Sequence, residues 1–417
     1  MMTVFENVKA LCTRVRAAAP ALGVADHAAR CRLLAAMAQA LPLAEEAILA
    51  ANAQDLAAAA ENGVPRVMLD RLLLNSERLN AIAKAIETLI DLSDPLAGGA
   101  TWQRPNGLVI TEKPVPFGVV AMIYEARPNV TADAAALAVK SGNAVVLRGG
   151  KEAIATNKAI VAALRAAVEA EGFSPDIIGL VEDTSRESAT ALLTMRGLVD
   201  VLIPRGGKGL IRSCVDNAKV PVIETGAGNC HVYVDAAADL EKALAVAVNA
   251  KCQRPSVCNA AESLLCHSAV AKQFLPAFFA ATRPYQVSFR ACSRALALLP
   301  EAMPATEEDF YTEFNDYVMS VMIVDSVEEA VEVINRTGTG HSEAIITEDQ
   351  KAASFFLGRV DAAAVYHNAS TRFTDGGEFG YGAEIGISTQ KMHARGPMGP
   401  KALTTVKYLV TGNGTVR

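Results

Sequence analysis

The sequence predicts an α/β protein built on parallel sheets, and three features carry that expectation. Short apolar runs rich in β-branched residues alternate with helical stretches between 118 and 224, and again between 240 and 347. Strands separated by whole helices are joined by crossovers, so they run parallel and are covered on both faces. Hydrophobic residues make up 51% of the 417 positions and charged residues 20%, which suits a globular chain of two or three domains.

Residues 1 to about 95 are Ala-rich and helical. Leu33, Leu34, Met37 and Leu41 recur at helical spacing, and Gly63 with Pro65 signals a stop. This layer reads as amphipathic packing. From 102 to 116 the texture changes to WQRPNGLVITEKPVP, where Asn106-Gly107 between strand-like residues predicts a hairpin. Then follow strands at 118–124, 143–147, 176–181, 199–203 and 220–224, with helices at 131–139, 151–171, 186–195 and 208–218. Right-handed crossovers place ligands at the carboxyl ends of such strands. A second α/β region has helices at 240–251, 270–281 and 327–335 and strands at 262–266, 318–324 and 343–347. A Gly-rich loop at 375–386 precedes a closing strand at 401–411, and no internal repeat is present.

Composition excludes several classes of function. A net charge of -6 with scattered Lys and Arg offers no surface for nucleic acid, so a phosphate-bearing ligand has to be held by local features. None of Cys12, Cys31, Cys214, Cys230, Cys252, Cys258, Cys266 and Cys292 forms a CxxC pair, and the six histidines do not fall at zinc-ligand spacings. We therefore expect no metal and thiols in a reducing compartment. Glu6, Lys9, Arg14 and Arg16 break the N-terminal apolar runs, which argues against a signal peptide, and no run approaches a bilayer span. The expectation is a soluble, cytoplasmic protein without a membrane partner.

The strongest chemical signal is NAKCQRPSVCNAAESLL at 249–265. Cys258 lies in a Pro-containing loop between a helix and a strand. Backbone N–H groups or Arg254 can favour its thiolate there. A thiolate attacks activated acyl carbons, and the thioester it forms is reducible by hydride. Taken alone, Cys258 also reads as a small core residue, as its neighbours Cys252 and Cys266 do. Arg148-Gly149-Gly150-Lys151 follows a strand and opens a helix, so its bare backbone can approach a phosphate or ribose. Arg205-Gly206-Gly207-Lys208-Gly209 does the same one βα unit later, although each turn alone reads equally as a loop. No GxGxxG fingerprint is present.

Partner segments stand around these motifs in a definite order: IYEARPNVTADAAALAVKSGNAVVLRGGKE at 123–152, VIETGAGNCHVYVD at 222–235, TEFNDYVMSVMIV at 312–324 and VDAAAVYHNAST at 360–371. In spacing and order the chain resembles the aldehyde dehydrogenase superfamily over nearly all its length. RPNVTADAAALAVKSGNAVVLRGGKEA and QRPSVCNAAESLL resemble its gamma-glutamyl phosphate reductase branch.

The resemblance implies a Rossmann-type cofactor domain (1–100 and 118–234), a smaller α/β catalytic domain (235–400) and a β oligomerisation flap (101–117 and 401–417). Cys258 is then the nucleophile, and Asn129 helps the Cys258 N–H form an oxyanion hole. Glu313 holds the nicotinamide ribose, and Arg148, Gly149, Gly150, Lys151, Gly206 and Gly207 contact the cofactor, NADPH/NADP. By themselves Asn129 reads as a turn or cap residue and Glu313 as a solvated one. The implied reaction, in proline biosynthesis, reduces L-glutamyl 5-phosphate to L-glutamate 5-semialdehyde and phosphate through a Cys258 thioester. Assembly as a homo-oligomer and functional coupling to glutamate 5-kinase follow from the same resemblance. Glu224 lies where hydrolytic relatives place a general base, but Thr225-Gly226-Ala227-Gly228 departs from their Leu-Gly-Gly continuation, so its role stays open. Arg127 and Arg254 are candidates to grip the glutamate moiety. The rival readings are a hydrolytic or coenzyme-A-acylating aldehyde dehydrogenase, and a non-catalytic binding protein on this fold.

Overall fold

The computed structural model describes residues 2–64 and 66–417. It divides into two compact units: Met1–Thr225 with Gly380–Gly386 and Met398–Arg417, and Gly226–Phe379 with Ile387–Pro397.

The first unit opens with α1 (Val4–Gly23), α2 (His27–Leu43), α3 (Glu45–Glu61), α4 (Arg66–Leu72) and α5 (Ser76–Ile90). Leu33, Leu34, Met37 and Leu41 are fully buried, as their helical spacing predicts. After α3 the chain turns through Gly63 at φ +71°, where a side chain would be strained; Pro65 lies outside the described residues. The expected hairpin is β1 (Thr101–Gln103) against β2 (Val109–Pro116), and the C-terminal strand Thr404–Thr411 pairs antiparallel with β2 along its whole length.

The alternating region gives β3 (Val119–Tyr124), α6 (Pro128–Lys140), β4 (Ala144–Arg148), α7 (Ile154–Ala170), β5 (Ile178–Leu180), α8 (Arg186–Leu193), β6 (Val201–Arg205) and α9 (Lys208–Asn217). Its sheet is parallel in the order β5-β4-β3-β6, so the carboxyl ends of β4 and β6 flank that of β3. Two expected strands are cut back. At 176–181 a short 3₁₀ turn, capped by Ser174, takes the first residues. The stretch 220–224 makes only the isolated bridge Leu202–Val222. Pro221 accepts from the Leu202 N–H but has none to donate, so no longer ladder grows there.

The second unit contains β7 (Cys230–Val234), α10 (Leu240–Cys252), β8 (Ala261–His267), α11 (Ser268–Thr282), β9 (Ser288–Ala291), α12 (Ser293–Leu296), β10 (Met303–Pro304), β11 (Val318–Val324), α13 (Val327–Thr337), β12 (Ser342–Ile346), α14 (Gln350–Arg359) and β13 (Ala364–His367). They build a seven-stranded parallel sheet in the order β10-β9-β11-β8-β7-β12-β13. The pleat sends neighbouring residues to opposite faces. Val232 and Leu264 join Phe274, Phe278 and Phe289 in one core, while Tyr233 and Leu265 join Ile334 and Phe356 in the other. Because β7 pairs with β8 and β12, the units part between Thr225 and Gly226 rather than at the 234/235 boundary expected from the sequence. The stretch 380–386 and the C-terminal residues from Met398 belong to the first unit. No single helix among the described residues is long and apolar enough to cross a membrane.

Candidate active site

In the second unit, α10 stops at Cys252 because Pro255 lacks an N–H and disfavours helical backbone at Arg254. The chain then turns through Ser256, Val257 and Cys258 before β8 begins. This leaves Cys258 half-buried, while Cys252 and Cys266 are buried and desolvation pushes their thiols up to about 11 and about 12. The Cys258 carbonyl accepts from the Cys230 thiol at 3.1 Å. It also lies so close to Gly228 that a Cβ there would stand 1.5 Å from its oxygen, so only glycine fits. The Gly228 N–H donates to Glu313 Oε1 at 2.8 Å. Cys258 and Glu313 are thus joined through one glycine.

Two further devices brace this loop. The Asn259 amide donates to the carbonyls of Arg372 and Thr374 (3.2 and 2.9 Å), and the Thr371 hydroxyl donates to the Asn259 carbonyl at 2.7 Å. Beneath the loop, Lys251 and Glu262 form an ion pair of 2.6 Å with both side chains fully buried. Burial pushes the Glu262 carboxyl up to about 7 against the pull of Lys251, and burial lowers Lys251 in turn. The other oxygen of Glu262 accepts from the Asn315 N–H at 3.0 Å, and Asn315 sits at φ 56° just past Glu313. Asparagine tolerates that left-handed turn better than most residues.

In the first unit, Arg148-Gly149-Gly150-Lys151 lies at the carboxyl end of β4. A Cβ on Gly149 would stand 2.2 Å from Asn157 Nδ2, and one on Gly150 would stand 2.8 Å from Glu152 Oε2. Arg148 donates to the carbonyls of Thr184 and Ser185 at 2.7 and 2.8 Å, so its guanidinium braces a neighbouring loop. Gly206 and Gly207 open α9 at the end of β6, where the Gly207 N–H donates to Glu125 Oε1 at 3.0 Å. Asn129 is the second residue of α6, and its amide donates to Asp133 Oδ2 at 3.0 Å. Burial pushes the Asp133 carboxyl up to about 6, opposed by Arg205 and by the Asn129 bond. Arg127 is the N-cap residue of α6, and Glu224 is half-buried near the end of the unit.

A family model described as the aldehyde dehydrogenase family matches residues 4–291 and 302–392. The chain belongs to that family. Its gamma-glutamyl phosphate reductase relatives include one from Streptococcus suis, 59% identical over 92% of this chain and 93% of the relative. Another, from Heliobacterium modesticaldum, is 54% identical over all of both chains. The solved gamma-glutamyl phosphate reductase from Thermotoga maritima superposes with a TM-score of 0.96 at 45% identity, covering 98% of this chain and 99% of that one. The fold is therefore aldehyde-dehydrogenase-like α/β, and the protein is an oxidoreductase.

Members of the aldehyde dehydrogenase family use a nicotinamide cofactor, and the first unit carries features that suit one. The Gly149-Gly150 turn leaves no room for side chains, and the buried Arg148 Nε and Asn157 Nδ2 beside it have no hydrogen-bond partner. Unsatisfied buried donors at a strand end fit a polar ligand. The Gly206-Gly207 turn differs, because the Glu125 carboxylate already occupies the N-terminus of α9. Among the described residues no group of three or more His, Cys, Asp or Glu side chains could hold a metal ion.

Sequence reasoning missed Gly228, Arg372 and the Lys251–Glu262 pair as supports of the nucleophile loop. Glu262 left a readable trace: a carboxylate at the start of an apolar strand needs a buried partner. Gly228 and Arg372 left none, since their roles depend on contacts across the sheet.

Proposed function

We propose that this chain reduces L-glutamyl 5-phosphate to L-glutamate 5-semialdehyde and phosphate with NADPH, as a step of proline biosynthesis in the cytoplasm. The observation that carries the reading is the half-buried Cys258, held in a rigid turn in a chain 54% identical, end to end, to a gamma-glutamyl phosphate reductase. The Cys258 thiolate attacks the γ-carbonyl, the carbon–oxygen bond to phosphate breaks, and phosphate departs with the electron pair. A thioester remains on Sγ. When bound, NADPH supplies the hydride that reduces this thioester. The thiohemiacetal on Cys258 then collapses, returning the thiolate and releasing the semialdehyde.

The residue roles in this reading are those the family resemblance implies. The Cys258 N–H and the Asn129 amide stabilise the oxyanion. The Gly149-Gly150 turn with Lys151 takes the cofactor's phosphates and ribose, the Gly206-Gly207 turn contacts the cofactor elsewhere because the Glu125 carboxylate fills the N-terminus of α9, and Glu313 holds the nicotinamide ribose. In this reading the first unit is the cofactor-binding domain and the second the catalytic domain, and the β1–β2 hairpin with the C-terminal strand is a flap that joins copies of the chain. Coupling to glutamate 5-kinase, which would supply the labile acyl phosphate, belongs to the same reading.

The test is the reverse reaction. NADP⁺ reduction by glutamate semialdehyde should rise with inorganic phosphate and saturate, and arsenate should substitute for it. A hydrolytic relative would use water at this step and an acylating one coenzyme A. Sustained turnover in phosphate-free buffer would sink the assignment.

A further inference from the structure

We propose that Arg372, together with Arg254, is the anion-holding residue of the Cys258 site, and that the two guanidinium groups grip the phosphate of the acyl phosphate as it is displaced. The inference rests on the acyl-phosphate reading above and names the residues that handle its leaving group.

Arg372 lies in a short 3₁₀ turn, Thr371–Phe373, that is stitched to the nucleophile loop at both ends. Its Nε donates to Gln253 Oε1 at 3.0 Å, and Gln253 immediately precedes Arg254. Its carbonyl accepts from Asn259 Nδ2 at 3.2 Å, and Asn259 immediately follows Cys258. One arginine is therefore fastened across the loop from the residue beside Arg254 to the residue beside the thiol. Thr371, fully buried, locks the turn through its bond to the Asn259 carbonyl.

The electrostatics agree with that placement. Arg372 is half-buried, and its affinity for its proton is lowered first by that burial and then by the charge of Arg254, against the pull of Cys258 and Asp375. Two cations set against each other, one of them half-buried, are unfavourable until an anion joins them. A phosphate bonded to the carbon under attack by Sγ is such an anion. The guanidinium fork matches phosphate oxygens in pairs, and its charge stabilises the dianion as the carbon–oxygen bond breaks. A purely structural clasp would need the Nε bond to Gln253 and no second cation nearby.

Protection of Cys258 tests this in the full chain. Iodoacetamide alkylation of Cys258, followed by peptide mass mapping, would be measured against inorganic phosphate in the wild type, Arg372→Gln and Arg372→Lys. Phosphate should slow alkylation of the wild type saturably. Arg372→Gln should need about tenfold more phosphate for half-protection, in line with the loss of a charged hydrogen bond, and Arg372→Lys should fall between. Equal half-protection concentrations in wild type and Arg372→Gln, or protection of neither, would overturn the proposal. Should Arg372→Gln fail to fold, Arg254→Gln and Arg372→Lys carry the same comparison. The reverse assay separates the two levels of inference. Phosphate-independent turnover of the wild type overturns the acyl-phosphate reading. Phosphate-dependent turnover with an unchanged phosphate KM in Arg372→Gln overturns only the role of Arg372. A raised semialdehyde KM with an unchanged phosphate KM would give Arg372 to the substrate's α-carboxylate, and the leaving-group role would fall.

Discussion

Between the buried Cys252 and the buried Cys266, Cys258 stands in a turn where solvent reaches it. Cys258→Ala should abolish reduction while leaving the melting temperature and cofactor binding close to wild type, and Cys252→Ala should retain most activity. Similar losses in both would make Cys258 a packing residue. For Asn129, bonded to Asp133 within α6, Ala substitution should lower kcat by roughly 10²–10³ with cofactor affinity nearly unchanged; a near-normal kcat would leave Asn129 as a helix residue only. The Lys251–Glu262 pair calls for a stability measurement. Lys251→Met strands a carboxylate of zero exposure, and breaking such a pair costs about 3–5 kcal/mol. Chemical denaturation should show that loss, and Lys251→Met with Glu262→Leu should recover most of it. The sign with pH follows from the raised Glu262 pKa. A buried carboxyl of this kind favours the fold when protonated, so its contribution weakens as pH climbs from the ordinary carboxyl range through about 7. If the double variant is no more stable than Lys251→Met, the strain lies elsewhere.

At the scale of elements, the expected helices formed with ends shifted by a few residues, because apolar periodicity and the Gly and Pro stops are local signals. The weak points were short strands. Ile178–Leu180 and the single bridge at Val222 depend on partners distant in sequence, and β9, β10 and β13 are too short to display a period. The site followed the same division. Cys258 and the two glycine turns lie in stretches the sequence marks and Glu313 is marked by the family resemblance alone, whereas Gly228 matters only because the carbonyl of Cys258, thirty residues on in another loop, lies against it. The β1–β2 hairpin was legible from Asn106-Gly107 and from its strand-like composition. The C-terminal strand exposes Val406, Tyr408, Leu409 and Val410 on an edge with one unpaired side, and Trp102 meets Tyr408 edge-on at 6.3 Å between ring centres. Such an edge invites another strand. Tyr408→Lys with Val410→Lys should therefore lower the mass seen by analytical ultracentrifugation, and an unchanged mass would place any interface elsewhere.

Across the whole molecule, a late strand returns to a sheet begun some three hundred residues earlier. The strand Thr404–Thr411 completes the three-stranded sheet begun at Thr101, and Asn143 fixes the approach by donating to the Leu403 carbonyl at 2.8 Å. That return has a consequence for synthesis on the ribosome. The first unit emerges early yet lacks the strand Thr404–Thr411 until that stretch has left the exit tunnel. At about 5–20 residues per second, translating 226–397 keeps β2 waiting for a time on the order of ten seconds or more. During that interval the β1–β2 hairpin presents a bare edge beside other nascent chains, and the same surface that completes the finished molecule is the one most exposed to a wrong neighbour while the chain is being made.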